Sequence, residues 1–291
     1  MFKNYSKKQD GIIRFYDMYS KGTKIVTVII FIACLILMLI ALFPSIWVML
    51  GSFKDVREFN LSRTILPAKF DIRVYLQTWI DFKFVKYYIN SLIYVLGSVV
   101  CAVIFNGLLA YSISVLKPKG GKVIFGVILW SLLIPATTSV VALYVNINLI
   151  GLNKSFIPLW LSFGANAFYV VLFKEFFDNI PREYFEAATI DGCSSLKIFY
   201  LILMPISKSI IIVICIFATT AAWSDFLLPY LVLGGSGNET VMMRLFDFRT
   251  SNARDVEILR CIVFSIIPPT ILFILFQKQI TSGAFAGGLK G

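Results

Sequence analysis

Long apolar runs separated by short polar and basic intervals fill this chain, at about 25–50, 85–116, 123–145, 156–177, 206–228 and 258–276. Each run is long enough to cross a bilayer as a helix with some tilt. The pattern predicts an all-α polytopic membrane protein with six transmembrane helices. The spans fill a domain over residues 25–278, between an N-terminal tail 1–24 and a C-terminal tail 279–291.

Details within the runs refine this expectation. Pro135 makes the third span kinkable, and Pro268-Pro269 predict a bend in the sixth. Gly97, Ser98, Asn106 and Gly107 on the second span are small or weakly polar, which allows close helix packing in lipid. Asn166, inside FGANAF, is an amide that either packs helices or faces a pathway.

The 1–24 tail is basic, and KPKGGK at 117–122 carries three lysines and no acid, which places both inside. The 51–84 connection is basic too, which runs against that rule; its aromatic residues suit a small amphipathic element on the outer surface. Counted from an inside tail, the polar interval Ile180–Pro205 returns to the cytoplasmic side. Residues 229–258, with their glycine-rich start GGSGNET, then form an external connection.

Composition narrows the function. The chain has 291 residues, 58% hydrophobic and 15% charged. The net charge of +11 lies in separate short loops rather than on one basic face, so the anionic membrane surface explains it better than nucleic acid does. There is no histidine, and the five cysteines show no CxxC spacing. No phosphate-binding glycine loop ending in Lys-Ser or Lys-Thr occurs, so an ATPase acting here is another chain. The expectation is a non-enzymatic subunit with no cofactor of its own.

The interval Ile180–Pro205, IPREYFEAATIDGCSSLKIFYLILMP, reads as two short helices with a bend. Pro181 suits a first helical turn, where Glu183 and Glu186 favour the positive helix end. Gly192 stops that helix in a left-handed cap, and Ser194 or Ser195 caps a second helix through Lys197 to Leu203. Ala187 and Ala188 give the first helix a flat patch for a close partner.

EAATIDG followed by ILMP resembles the EAA loop of ABC importer permeases, with Glu186, Ala187, Ala188, Gly192 and Pro205 in the motif positions and Asp191 within the string. AWSDFLLP resembles the WNDFLxP segment of carbohydrate importer permeases. Trp223, Asp225 and Pro229 match it, while Ser224 replaces the usual Asn. Asn90-Ser91 is similar to the NS pair that opens the second span of sugar permeases. The end FQKQITSGAFAGGLKG resembles the family's terminal signature through Phe276, Gln277, Gly283, Gly287, Lys290 and Gly291, with Gly288 in place of Ala.

The resemblance, closest to the maltose-type group, implies the type I importer permease fold. It also implies one of two homologous permease subunits in a bacterial cytoplasmic membrane, with both termini cytoplasmic. Two copies of an ATPase subunit would bind ATP and Mg, and the helix around Glu186 would couple to them. An external solute-binding protein would dock on the 229–258 loop and deliver a di- or oligosaccharide. Asn90, Asn166, Trp223, Asp225 and Pro229 stand as pathway or motif residues. Glycerol phosphate is the alternative cargo. An ion-coupled secondary transporter is the alternative class, but the spans lack the mid-membrane ionisable groups such a protein uses, apart from Asp225 near a span end.

Overall fold

A computed structural model describes residues 21–62, 64–250 and 253–286. The chain divides into two compact units at Phe70/Asp71, a boundary inside the 25–278 stretch that the sequence treats as one domain.

In the first unit, helix α1 (Lys21–Ser52) exposes its apolar surface along its whole length. A short α2 (Val56–Leu61) follows, with the Asp55 carboxylate accepting from the Glu58 N–H at 2.7 Å. The buried Lys54 donates to the Thr64 carbonyl, and Phe53 meets Phe70 edge-on, so this connection is ordered by its own side chains.

The second unit begins with α3 (Arg73–Asp81) and is organised around α4 (Phe84–Tyr111), which packs against α7 (Ile157–Gly164), α8 (Ala167–Asp178) and α12 (Lys208–Ser224). Small residues on α4 permit this. A Cβ at Gly97 would collide with the Trp160 indole of α7, and one at Gly164 of α7 would sit 2.8 Å from Phe105 of α4, so these two helices approach to ring thickness.

Two aromatic-rich cores flank α4. One gathers Trp79, Phe84, Tyr88, Trp223, Phe248 and Phe264; the other gathers Tyr111, Phe173, Phe177, Phe185, Phe199 and Leu203.

Several expected spans are broken. The stretch read as 123–145 is two shorter helices, α5 (Gly121–Ser131) and α6 (Ala136–Leu149), because Pro135 has no N–H for the Ser131 carbonyl and the chain leaves the helix there. The stretch read as 156–177 bends by 42° between α7 and α8. The fifth ends at Ser224, with Asp225 extended and a separate α13 (Leu227–Leu233) after it.

The last elements, α14 (Val241–Thr250) and α15 (Asp255–Ala286), run beyond the expected 258–276 span and carry helix into the tail read as 279–291. Among the described residues, three helices are long and apolar enough to cross a membrane, or five if each bent pair is one span.

The breaks in the second unit are stitched by buried polar groups. The fully buried Asn106 amide donates to the Phe163 carbonyl at 2.8 Å and accepts from the Asn166 N–H at 2.9 Å, closing the α7–α8 gap. In α15, Pro268 and Pro269 leave the Phe264 and Ser265 carbonyls without their helical N–H partners. The Tyr88 hydroxyl donates to the first, and the Trp223 indole N–H donates to the second at 2.9 Å. In an apolar medium each unmet carbonyl would cost several kcal/mol, so these donors make the double proline tolerable.

Candidate functional site

The interval Ile180–Pro205 folds as α9 (Glu183–Ile190), a tight turn, α10 (Ser195–Ile198), a π-helical turn (Phe199–Leu203) and the single turn α11 (Met204–Ile206). Helix α9 starts two residues after Pro181, with Arg182 at its N-cap, so the proline precedes the helix instead of opening it.

Its end is a Schellman cap. Gly192 sits at φ 77°, the Cys193 N–H reaches the Ala188 carbonyl at 3.0 Å, and the Gly192 N–H reaches Thr189 at 3.1 Å. Ser194 then caps α10, and after Pro205 the chain turns by 84° at Ser207 into α12.

Helical spacing divides α9 into two faces. Phe185 and Ala188 point inward, beside Ile198 and Phe199, while the Tyr111 hydroxyl donates to the Ser195 carbonyl at 3.1 Å. Glu183, Glu186, Ala187 and Ile190 form the outer face, with Ile190 87% exposed. Ala188, expected to share a flat outer patch with Ala187, is only 6% exposed. Its small size serves packing within this chain, and the outward patch belongs to Ala187. Asp191 is exposed at the helix end.

A second constellation lies where α12 breaks. The Tyr94 hydroxyl donates to the Asp225 carboxylate at 2.7 Å, and Tyr94 itself is buried. Asp225 is half-buried. Trp223 is buried, its indole N–H on the Ser265 carbonyl. Pro229 is buried in α13.

The Asn166 side-chain oxygen accepts from the Tyr169 N–H and caps α8. Asn90 donates to the Glu239 carbonyl at 3.0 Å, and the neighbouring Ser91 hydroxyl accepts from the Val241 N–H at 2.9 Å. The NS pair thereby ties α4 to the glycine-rich connection. Gly283 lies in α15, whereas Gly287, Lys290 and Gly291 lie outside the described residues.

Sequence reasoning missed Tyr94 and Tyr88 as structural supports, whereas Asn106, read as a helix-packing residue, does join α4 to α7 and α8. The double proline is a signal that two donors must exist, but it does not name them.

Comparison with known proteins bears on the family and the fold. The family described as binding-protein-dependent transport system inner membrane component matches residues 83–284. The diacetylchitobiose uptake system permease of Streptomyces coelicolor is 26% identical over 256 residues, covering 86% of this chain and 85% of that one. An inner membrane ABC transporter permease of Escherichia coli K12 is 30% identical, covering 87% and 93%. The arabinooligosaccharides permease of Bacillus subtilis is 28% identical, covering 88% and 93%. Among solved structures, a bacterial ABC transporter involved in import of the acidic polysaccharide alginate shares the fold with a TM-score of 0.79 at 23% identity, covering 89% of this chain and 98% of that one.

Proposed function

Since the chain belongs to the family of binding-protein-dependent transport system inner membrane components, we propose that it is one of two permease subunits of a bacterial ATP-driven importer. With a homologous permease it lines the path of a di- or oligosaccharide handed over by an external binding protein. The chain is a multi-pass inner-membrane transport subunit and not an enzyme. Relatives named for diacetylchitobiose, for arabinooligosaccharides and for melibiose, raffinose and stachyose support a sugar as cargo.

Six spans, with 121–149 as a broken third one, put both termini and the Ile180–Pro205 loop in the cytoplasm, facing two ATPase copies that hold ATP and Mg. The coupling is mechanical. Outer-face Glu186 suits a cationic partner side chain, and Ala187 lets a backbone come close. The buried Phe185 and Ala188 join α9 to the core around Phe199, so a push on the helix reaches the spans. The observation that carries this reading is the two-faced α9, exposed on one side and packed into the spans on the other. The external 229–258 connection is the docking side for the binding protein.

The test is reconstitution with the partner permease, ATPase and binding protein in proteoliposomes. Ala187→Glu should abolish ATP-driven sugar uptake while the complex assembles and unfolds at the wild-type temperature. Uptake driven by an ion gradient without the ATPase, or normal uptake in Ala187→Glu, would overturn the assignment.

A further inference from the structure

At the end of the fold where α4 begins and α13 and α14 meet, a half-open cavity of about 470 Å³ lies apart from the coupling loop. That volume falls in the range of roughly 300–1,000 Å³ typical of small-molecule sites. Two tyrosines, Tyr87 and Tyr230, and the backbone of Gly234 and Gly235 form part of its wall. Met243 and the charged residues Glu239, Arg244 and Asp247 form the rest.

The charges are arranged for neutrality. Lys86 stands 3.9 Å from Glu239, and Arg244 stands 3.9 Å from Asp247. Each pair cancels its charge at a separation beyond hydrogen-bond reach. The Arg244 guanidinium lies over Phe248 at 4.6 Å and Tyr87 at 5.5 Å.

We propose that this cavity is a subsite for one or two units of a neutral sugar, contributed by this chain at the outer mouth of the pathway. A sugar hydroxyl both donates and accepts, matching an arginine N–H beside a carboxylate, and tyrosine faces suit the C–H face of a pyranose ring. An acidic sugar would meet carboxylates whose charge the two cations only balance, leaving no net attraction. The inference rests on the sugar-importer reading and adds to it a place and a charge class.

The test uses the complete transporter in nanodiscs without the binding protein, and saturation-transfer NMR. The probes are neutral trisaccharides (raffinose, maltotriose and arabinotriose) and the acidic trigalacturonate. At least one neutral probe should show transfer, lost in Tyr230→Ala, and trigalacturonate should show none. Glu239→Gln leaves Lys86 unbalanced and should make trigalacturonate transfer appear at low salt.

Transfer from no neutral probe, transfer that survives Tyr230→Ala, or equal binding of the acidic probe to wild type would overturn the subsite. ATP-driven uptake is measured on the same purified transporter in proteoliposomes with the binding protein present. If uptake proceeds while the subsite fails, only this inference falls; if uptake itself is absent, the importer reading falls.

Discussion

Replacing Trp223 by Phe isolates one hydrogen bond on which the shape of α15 depends. The indole N–H donates to the Ser265 carbonyl at 2.9 Å, the carbonyl that Pro269 deprives of a helical partner. Removing the donor leaves a buried acceptor unmet. The cost is about 1–3 kcal/mol by analogy with soluble cores, and about 0.6 kcal/mol on average for hydrogen bonds within membrane bundles. The smaller ring adds a packing loss of its own.

The two contributions separate in a double-mutant cycle with Pro269→Ala, which restores an N–H at position 269 for the same carbonyl. Trp223→Phe should be milder in that background by roughly 1–2 kcal/mol, a factor of about 5–30 in the unfolding equilibrium, while the packing loss cancels. Equilibrium unfolding in mixed micelles, followed by circular dichroism, measures all four proteins. An equal cost of Trp223→Phe with and without Pro269 would refute the hydrogen-bond account.

Two other substitutions probe the same unit. Gly97→Ala drives a Cβ into the Trp160 ring and should destabilise by about 1–3 kcal/mol, recovered when Trp160 is also shortened to Leu; the midpoints of the same titration report both. Asn106→Leu strands the Asn166 N–H and the Phe163 carbonyl at the α7–α8 break, for roughly 2 kcal/mol or more. Faster hydrogen exchange at Asn166 is the local signature that separates it from a general loss of packing.

Much of the loop at Ile180–Pro205 was legible because its signals are local. A glycine forced to positive φ at 192 and a serine cap at 194 act within a few residues of themselves, so spacing along the chain is enough. The facing of Ala188 was not legible. Sequence gives α9 a pair of alanines, but which of them meets the core depends on where Phe199 and Tyr111 arrive from elsewhere. Span breaks were half legible: Pro135 announced one, whereas the bend at Ala165–Asn166 contains no proline and exists because Asn106, sixty positions away, accepts the N–H that the helix gives up.

By itself, then, the sequence determined the helical class, the approximate positions of the apolar runs, the order of the family motifs and the turn at Gly192. The motif order rests on the family resemblance, and the others follow from hydropathy and short-range backbone preference. Only the tertiary structure decided that Trp223 and Tyr88 serve the carbonyls before a double proline, that Asn166 caps a helix and that Asp225 takes a bond from Tyr94. It alone brought Tyr87, Glu239 and Arg244 to one cavity. The physical reason lies in the solvent. A lipid-facing side and a packed side of a membrane helix are both apolar, so periodicity does not say which way a residue points, and the pairing of buried polar groups is set by where helices cross.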